Sequence, residues 1–203
     1  MRIVSWNINS VRLRIDQVLR FLSEEQPDVL CLQETKCQDD QFPRKAFAKA
    51  GYPHLAVCGQ KGYHGVAVAA RVPIEAPEAL RFCETGDARH IAVRLPGGAL
   101  LHNFYVPAGG DLPDPESNPK FAHKLSFLER MTAHFGKRKK DPQILVGDLN
   151  IAPEEHDVWS HKQLLKVVSH TPVETDAMAK LIKRGGFIDV ARALVPAEEK
   201  LYS

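Results

Sequence analysis

The fold is decided by residues 2–34, RIVSWNINSVRLRIDQVLRFLSEEQPDVLCLQE, which predict a strand, a helix and a second strand. Residues 2–8 and 28–34 are short apolar runs of the kind that form strands. Between them, residues 11–25 carry apolar side chains at three- and four-residue spacing, at Val11, Ile15, Val18, Leu19 and Leu22. Pro27 ends this helix. Because a helix joins them, the two strands are predicted to run parallel in one sheet.

The alternation of strands and helices continues along the chain. Further strands are predicted at residues 54–58, 65–71, 90–95, 100–106 and 143–149, and further helices at 43–50, 119–135 and 174–184. Gly97-Gly98 predicts an antiparallel hairpin, so the pairing is expected to be mixed. In the last helix, Thr175-Asp176 would supply the cap and Gly185-Gly186 the end. No internal repeat stands out, and residues 1–203 are predicted to form one α/β domain.

The composition is that of a soluble globular protein. The 203 residues are 44% hydrophobic and 26% charged, close to the average for such proteins, which excludes disordered, collagen-like and coiled-coil classes. No apolar run reaches the ~18 residues that span a membrane, and early polar residues exclude a signal peptide. We therefore expect a cytoplasmic protein without a membrane partner. The net charge of +2 is too small to indicate a nucleic-acid binder by itself.

Polar groups that bind metal ions or phosphate follow four of the predicted strands. They are Asn7, Glu34, Tyr105, and the pair Asp148 and Asn150. Because functional groups in α/β sheets collect beyond the ends of strands, we expect these side chains to converge. Alternation puts Asp148 and Asn150 on the same face of their strand. Gly147 beside them would allow a close approach of the backbone.

Two carboxylates and two amides at one place would form an oxygen-rich set that suits Mg²⁺ or Mn²⁺ and not zinc. Glu34 is the candidate direct ligand, and Asp148 would act as a base or position an attacking water. Asn150 and Tyr105 would donate hydrogen bonds to a phosphate whose charge rises in the transition state.

Each of these residues also has a structural interpretation. A glutamate at a strand end is commonly solvated or caps a helix, Asp148 and Asn150 would suit an Asx-turn, and Tyr105 would suit a core position with an exposed hydroxyl. Their joint occurrence at strand ends favours a hard-metal site. Three histidines without regular spacing receive no role: His156, His161 and His170. The basic run 137–140 is interpreted as a solvated loop.

At these positions the chain resembles the exonuclease III family of bacterial apurinic/apyrimidinic (AP) endonucleases, within the endonuclease/exonuclease/phosphatase superfamily. The matching blocks are VSWNIN (4–9), QPDVLCLQETK (26–36), GQKGYHGVA (59–67), NFYVP (103–107), Lys120-Phe121 with Lys124, GDLNIAP (147–153) and FID (187–189). The LQETK and GDLNIAP blocks together are specific. The resemblance runs from Met1 to Ser203.

The resemblance implies a four-layer α/β sandwich in which two mixed sheets pack face to face. It also implies Mg²⁺-dependent (or Mn²⁺-dependent) hydrolysis of phosphodiester bonds in double-stranded DNA, at abasic sites and at 3′ ends. We expect the protein to be a monomer.

The resemblance also implies a role for each matching residue. Glu34 binds the metal ion, with Asn7 beside it. Tyr105 contacts the scissile phosphate, Asp148 aligns or deprotonates the water, and Asn150 steadies the phosphate. The positions expected to contact the DNA backbone are Lys61, Arg89, Lys120 and Lys124, with residues 137–140 as a further basic run.

The family pattern continues beyond the point at which this sequence stops. Relatives go on to an Arg-x-Asp block and a Ser-Asp-His segment, whereas this sequence stops at Leu201-Tyr202-Ser203. The resemblance therefore implies that an Asp–His pair and strands of the second sheet are absent, and we expect little nuclease activity from these 203 residues alone. The alternatives are a DNA-binding fragment without catalysis and a phosphodiesterase that acts on a phosphoester other than DNA.

Overall fold

Two four-stranded mixed β-sheets are present in the part of the chain that the computed structural model describes, residues 1–137, 140–196 and 198–201. Those residues pack as two compact units. The first unit contains residues 1–105 and the segment that ends at Leu149, and it holds both sheets. The second unit contains the segments that begin at Val106 and at Asn150, and its regular structure is helical.

Sheet 1 is built from the N-terminal strands. Its strands are β1 (Ile3–Asn7), β2 (Val29–Gln33), β3 (His54–Cys58) and β4 (Val66–Ala70), in the order β1-β2-β4-β3. β1 and β2 run parallel, with Asn7 opposite Gln33, and the other neighbours run antiparallel. Helix α1 (Ile15–Glu25) connects the parallel pair. The predicted parallel crossover is therefore confirmed.

Sheet 2 follows in the chain. Its strands are β5 (Glu75–Glu78), β6 (His90–Arg94), β7 (Leu100–Tyr105) and β8 (Gln143–Asp148), paired in that order. The predicted hairpin of β6 and β7 is confirmed, and β7 runs parallel to β8 with Tyr105 opposite Asp148. The sequence did not predict β5, because its four residues are all exposed and include Pro77. Proline within a sheet is confined to edge strands such as this one.

The core of the first unit lies on both faces of sheet 1. All five residues of β2 and of β4 are buried. Toward sheet 2, side chains of both sheets pack together, among them Val29, Val68, Val93 and Leu101. On the other face, α1 and α2 (Arg44–Lys49) pack against the sheet through Val18, Leu22 and Phe47. Each such burial stabilises the fold by about 1.5–3 kcal/mol.

Two buried amides join the sheets within this core. Gln33 Nε2 donates to Asn103 Oδ1 at 2.7 Å, and Asn103 Nδ2 donates to the carbonyls of Leu32 and Ala67 at 3.0 Å each. The two side chains are 1% and 0% exposed. An unpaired amide is destabilising at such a depth, so these bonds favour one position of sheet 2 against sheet 1.

Helix α1 begins later than the sequence predicts. The expected start was residue 11, but the Val11 N–H donates to the carbonyl of Thr35 at 3.1 Å, and the Ser10 N–H donates to the carbonyl of Glu34 at 2.7 Å. These bonds hold the segment after β1 against the segment after β2. The helix therefore starts at Ile15.

The second unit contains α3 (Pro119–Phe135), α4 (His161–Leu164), α5 (Pro172–Gly185) and α6 (Val190–Leu194). Helix α5 starts two residues before the predicted position, because Thr171 rather than Thr175 is the cap. Thr171 and Glu174 form a reciprocal capping box. The predicted end is confirmed, since Gly186 adopts the left-handed conformation that terminates helices.

The expected α/β sandwich built on two mixed sheets is confirmed by the strand order and by the shared core. None of the helices in the described ranges combines the length and the apolar character that a membrane span requires. The interpretation of residues 1–203 as a single domain stays a prediction.

Candidate active site

Two pairs of parallel strands, one in each sheet, end beside each other in the first unit. β1 ends at Asn7 and β2 leads into Glu34, while β7 and β8 end at Tyr105 and Asp148. Asn7 Nδ2 donates to Glu34 Oε1 and to Asp148 Oδ2, at 2.8 Å each. The Tyr105 hydroxyl donates to Glu34 Oε1 at 2.9 Å. The structure thus brings these four predicted residues together.

Glu34 is the centre of this network. Its Oε1 accepts the hydrogen bonds from Asn7 and Tyr105, and its Oε2 lies 2.9 Å from the Lys36 ammonium nitrogen. Partial burial by itself raises the pKa of Glu34, but hydrogen bonds from Asn7, Lys36 and Tyr105 and the charge of Lys36 outweigh it, so the pKa lies below its ordinary value. Glu34 is therefore an ionised carboxylate at neutral pH, which is the form that binds a cation.

The pKa of Tyr105 is shifted in the opposite direction to that of Glu34. Burial raises the pKa of Tyr105 most, and the hydrogen bond to Glu34 and the charge of that carboxylate raise it further. The hydroxyl therefore keeps its proton at neutral pH and remains a hydrogen-bond donor. A donor that cannot ionise is suited to binding a negatively charged group.

Positive backbone φ angles at Glu34, Lys36 and Gly147 shape the chain around the two acidic residues of the site. Glu34 has φ 52° and Lys36 has φ 50°, a conformation that non-glycine residues seldom adopt. The Lys36 N–H donates to the carbonyl of His64 at 2.9 Å. Before Asp148, Gly147 has φ 141°, and a Cβ there would lie 2.0 Å from the carbonyl oxygen of Phe104. Glycine therefore permits the close approach that the sequence predicted.

Arg89 was predicted to contact DNA, but its guanidinium group is turned toward Tyr105. The residue is 7% exposed. Its Nη1 donates to the Tyr105 carbonyl at 3.3 Å, and its Cζ lies 4.9 Å from the centroid of the Tyr105 ring. Its Nε lies 3.5 Å from Asp87 Oδ2. These contacts make Arg89 a positioning residue for Tyr105. Lys61, by contrast, is exposed between β3 and β4.

In the second unit, Asn150 and Lys120 are placed differently. Asn150 has φ 52°, and its Nδ2 donates to the carbonyl of Val106 at 2.9 Å. Lys120 is exposed at the start of α3, where its backbone N–H donates to Asn118 Oδ1 at 3.1 Å. Lys120 is thus available for an electrostatic contact, whereas the structure ties Asn150 to its own backbone surroundings.

Lys124 requires a correction. Its ammonium nitrogen lies 2.5 Å from Glu174 Oε1, and both side chains are 0% exposed. The same nitrogen donates to the carbonyls of Ala108 at 3.1 Å and Asn150 at 2.6 Å. A lysine whose charge is paired in the interior does not present that charge to a DNA backbone. We therefore replace the predicted phosphate contact by a structural ion pair. In the basic run 137–140, Arg138 and Lys139 lie outside the described residues.

Three residues at the site were not singled out by the sequence analysis: Lys36, His64 and Asp87. His64 Nε2 lies 3.4 Å from Arg89 Nη2 and 3.7 Å from Asp87 Oδ2. Lys36 and His64 fall within the LQETK and GQKGYHGVA blocks, so a signal for both was present in the quoted motifs. Asp87 lies outside every motif block, and only the fold places it at the site.

The donor set fits a hard divalent cation. Glu34 supplies an ionised carboxylate, and Asp148 supplies a second carboxyl group, which accepts a hydrogen bond from the same Asn7 amide. The Asn7 Oδ1, however, accepts a hydrogen bond from the Asn9 N–H at 3.1 Å, and its amino group faces both carboxylates. Glu34 is therefore the residue that would hold the ion. Direct ligation by Asn7, which would require its amide to turn, stays a prediction.

The chain has relatives among known proteins. Residues 4–189 match the Endonuclease/Exonuclease/phosphatase family. Exodeoxyribonuclease III of Haemophilus influenzae is 32% identical over 165 residues, which cover 78% of this chain and 60% of that protein. The chain spans between 30% and 66% of the length of the curated relatives that it matches.

Solved structures share the fold. An AP endonuclease from Archaeoglobus fulgidus matches with a TM-score of 0.86 and 34% identity, covering 95% of this chain and 74% of that one. A 3'-5' exonuclease from Neisseria meningitidis matches with a TM-score of 0.89 and 29% identity, covering 100% and 78%. The similarity therefore extends over both units of the chain.

Proposed function

Because the chain belongs to the endonuclease/exonuclease/phosphatase family, we propose that it is a DNA-repair nuclease of the exonuclease III type. Its substrate would be double-stranded DNA, cleaved at abasic sites and at 3′ ends, with Mg²⁺ or Mn²⁺ as cofactor and a monomer as the working form. One observation carries the proposal. The ends of two parallel strand pairs bring two carboxylates, an amide and a tyrosine hydroxyl into one hydrogen-bonded network.

The proposed reaction is the attack of water on phosphorus. The water oxygen forms a bond to phosphorus while the bond from phosphorus to the leaving sugar oxygen breaks. Asp148, which Asn7 holds at 2.8 Å, would orient the water and accept one of its protons, and the leaving oxygen would take up a proton. Such a general base contributes about 10²–10⁴-fold to the rate. A divalent ion at Glu34 would neutralise charge on the phosphate as a Lewis acid.

Tyr105 would bind the phosphate itself. The Tyr105 hydroxyl donates to Glu34 in this structure, and it would donate to a phosphate oxygen in the complex. Its raised pKa supports this role, since the group cannot lose the proton that it donates. The role of Asn150 in steadying a phosphate, which the resemblance implies, stays a prediction.

Binding to the DNA backbone would depend on exposed cations. Lys61 and Lys120 are the predicted contacts that the structure leaves on the surface. Contacts of this kind neutralise phosphates without reading the base sequence, so affinity should fall as salt rises. The small net charge of +2 is consistent with a few local contacts rather than a broad basic surface.

The proposal is tested with a duplex that carries one abasic site. The purified chain is incubated with this duplex and Mg²⁺, with and without EDTA, beside an undamaged duplex and a duplex with a recessed 3′ end. Glu34→Gln is the site variant, and Glu24→Gln, an exposed residue of α1 paired with Arg20, is its matched control. We expect cleavage that is weak for these 203 residues alone and depends on metal, that Glu34→Gln abolishes and that Glu24→Gln retains.

Two results would contradict the proposal. Binding of the duplex without cleavage under any metal condition would favour a DNA-binding fragment. Hydrolysis of an inositol phosphate or a phospholipid headgroup in place of DNA would favour a different phosphodiesterase.

A further inference from the structure

Lys36 occupies the side of the Glu34 carboxylate that a cation would approach. Oε1 already accepts hydrogen bonds from Asn7 and Tyr105, and Oε2 lies 2.9 Å from Lys36 Nζ. Both oxygens are therefore engaged by protein donors. An ion that binds Glu34 must approach Oε2, where the ammonium group already lies.

The backbone directs Lys36 to this place. Glu34 and Lys36 both have the left-handed backbone conformation, and Thr35 between them is 0% exposed. The Thr35 N–H donates to the carbonyl of Gly65 at 3.1 Å, and the Lys36 N–H donates to the carbonyl of His64 at 2.9 Å. The segment is thus fixed on both sides of Thr35. The position of the Lys36 side chain beside Glu34 therefore follows from a backbone that is fixed by hydrogen bonds.

The Lys36 ammonium group has a second hydrogen-bond partner, the Asn9 side chain. Lys36 Nζ also donates to Asn9 Oδ1 at 2.5 Å. If the contact with Glu34 breaks, Lys36 can keep a hydrogen bond through this amide. The side chain is 30% exposed and that of Glu34 is 19% exposed, so the exchange takes place at the rim of the site, where water can complete the solvation of the released charge.

We propose that Lys36 is a built-in competitor of the divalent cation: it neutralises Glu34 in the metal-free protein and must be displaced when the ion binds. The inference rests on the proposed metal site at Glu34. The Lys36 ammonium group, 2.9 Å from Oε2, keeps the carboxylate oriented before the ion arrives. Because an ammonium group and a divalent ion repel each other over a few ångströms, Lys36 also lowers the affinity of the site. It therefore tunes the metal concentration at which the enzyme is loaded.

The test measures metal affinity directly. Mn²⁺ binding is followed by calorimetry, at fixed pH and ionic strength, for the unchanged chain and for Lys36→Met, Lys36→Arg and Glu34→Gln. We expect Lys36→Met to bind Mn²⁺ about fivefold more tightly, as removal of a competing ion pair of ordinary strength implies. Lys36→Arg, which keeps the charge, should stay close to the unchanged chain. Lys36→Gln serves in place of Lys36→Met if that variant does not fold, as judged by circular dichroism.

The outcomes separate this inference from the proposed function. If Glu34→Gln loses Mn²⁺ affinity while Lys36→Met binds equally or more weakly than the unchanged chain, the metal site stands and competition by Lys36 is refuted. If Glu34→Gln binds as well as the unchanged chain, Glu34 does not hold the metal, and both proposals are overturned. Tighter binding by Lys36→Met together with loss in Glu34→Gln supports both.

Discussion

Removal of the buried ammonium group of Lys124 should destabilise the second unit strongly. Lys124→Met keeps most of the side-chain volume but leaves the Glu174 carboxylate without a cation in an interior where both residues are 0% exposed. Glu174 would keep hydrogen bonds from the Ser169 and Thr171 N–H groups and from the Thr171 hydroxyl. The carbonyls of Ala108 and Asn150 would each lose a donor.

The expected magnitude follows from that geometry. Breaking a buried ion pair by removing one partner costs about 3–5 kcal/mol, because an uncompensated charge stays in the interior. For a chain of this size each kcal/mol lowers the melting temperature by about 2–4 °C. We therefore expect the melting temperature of Lys124→Met to fall by about 10 °C.

The assay is thermal unfolding followed by circular dichroism, with urea unfolding as a second measurement. Lys120→Met is the matched control: it removes the same group four residues earlier, at an exposed position, and should change stability by less than about 0.5 kcal/mol. The double variant Lys124→Met/Glu174→Gln removes both charges and should recover much of the loss. Unchanged stability of Lys124→Met together with weakened DNA binding would refute this reasoning and restore the phosphate contact.

The candidate site allows three further predictions. In a catalytically competent form of the protein, Asp148→Asn should lower turnover on an abasic duplex by about 100-fold or more and change duplex affinity little, as kinetics and a binding titration would show; equal losses in both would contradict the assigned role. Because the pKa of Glu34 is lowered, its hydrogen-bond and charge partners stabilise the folded protein fully at any pH above the ordinary pKa of a glutamate. That stabilisation is lost only as the pH falls through the lowered pKa. Mn²⁺ affinity measured by calorimetry should therefore keep the contribution of the Glu34 carboxylate until the pH falls below the ordinary pKa of a glutamate, and loss of that contribution near pH 6 would refute this. Lys120→Ala should reduce the slope of log K against log salt by about 0.9 in fluorescence titrations, and an unchanged slope would exclude a phosphate contact at that position.

Local sequence patterns predicted much of the scaffold. The apolar stripe of α1 between two short apolar runs was enough to predict a parallel pair, because a helix of that length cannot connect hairpin strands. The polar residues at strand ends converge for a related reason, since parallel strands end at the same edge. Neither prediction required knowledge of a distant contact.

Other features depend on partners that are far away in the sequence. Lys124 has the same residue type as Lys120, and only Glu174, 50 residues later, distinguishes a buried ion pair from a surface cation. The orientation of the Asn7 amide is likewise set by Asp148, 141 residues later. The start of α1 moved because backbone bonds to the segment after β2 compete with helix formation. Periodicity and propensity contain none of this information.

The buried amides Gln33 and Asn103 mean that the spacing of Glu34 and Tyr105 in the candidate site is determined from inside the protein. Gln33 comes directly before Glu34, and Asn103 comes two residues before Tyr105. Each amide therefore lies on the strand that leads to one of these two site residues. A slip of one sheet along the other by a single residue, about 3.3 Å, would break the bonds to Asn103, Leu32 and Ala67 together, at a depth where the two amides are at most 1% exposed to solvent. Surface changes such as added salt or altered loops should therefore leave the 2.9 Å contact between Glu34 and Tyr105 intact. Substitutions of exposed residues around the site can therefore change what it binds, while the alignment of Glu34 with Tyr105 is preserved.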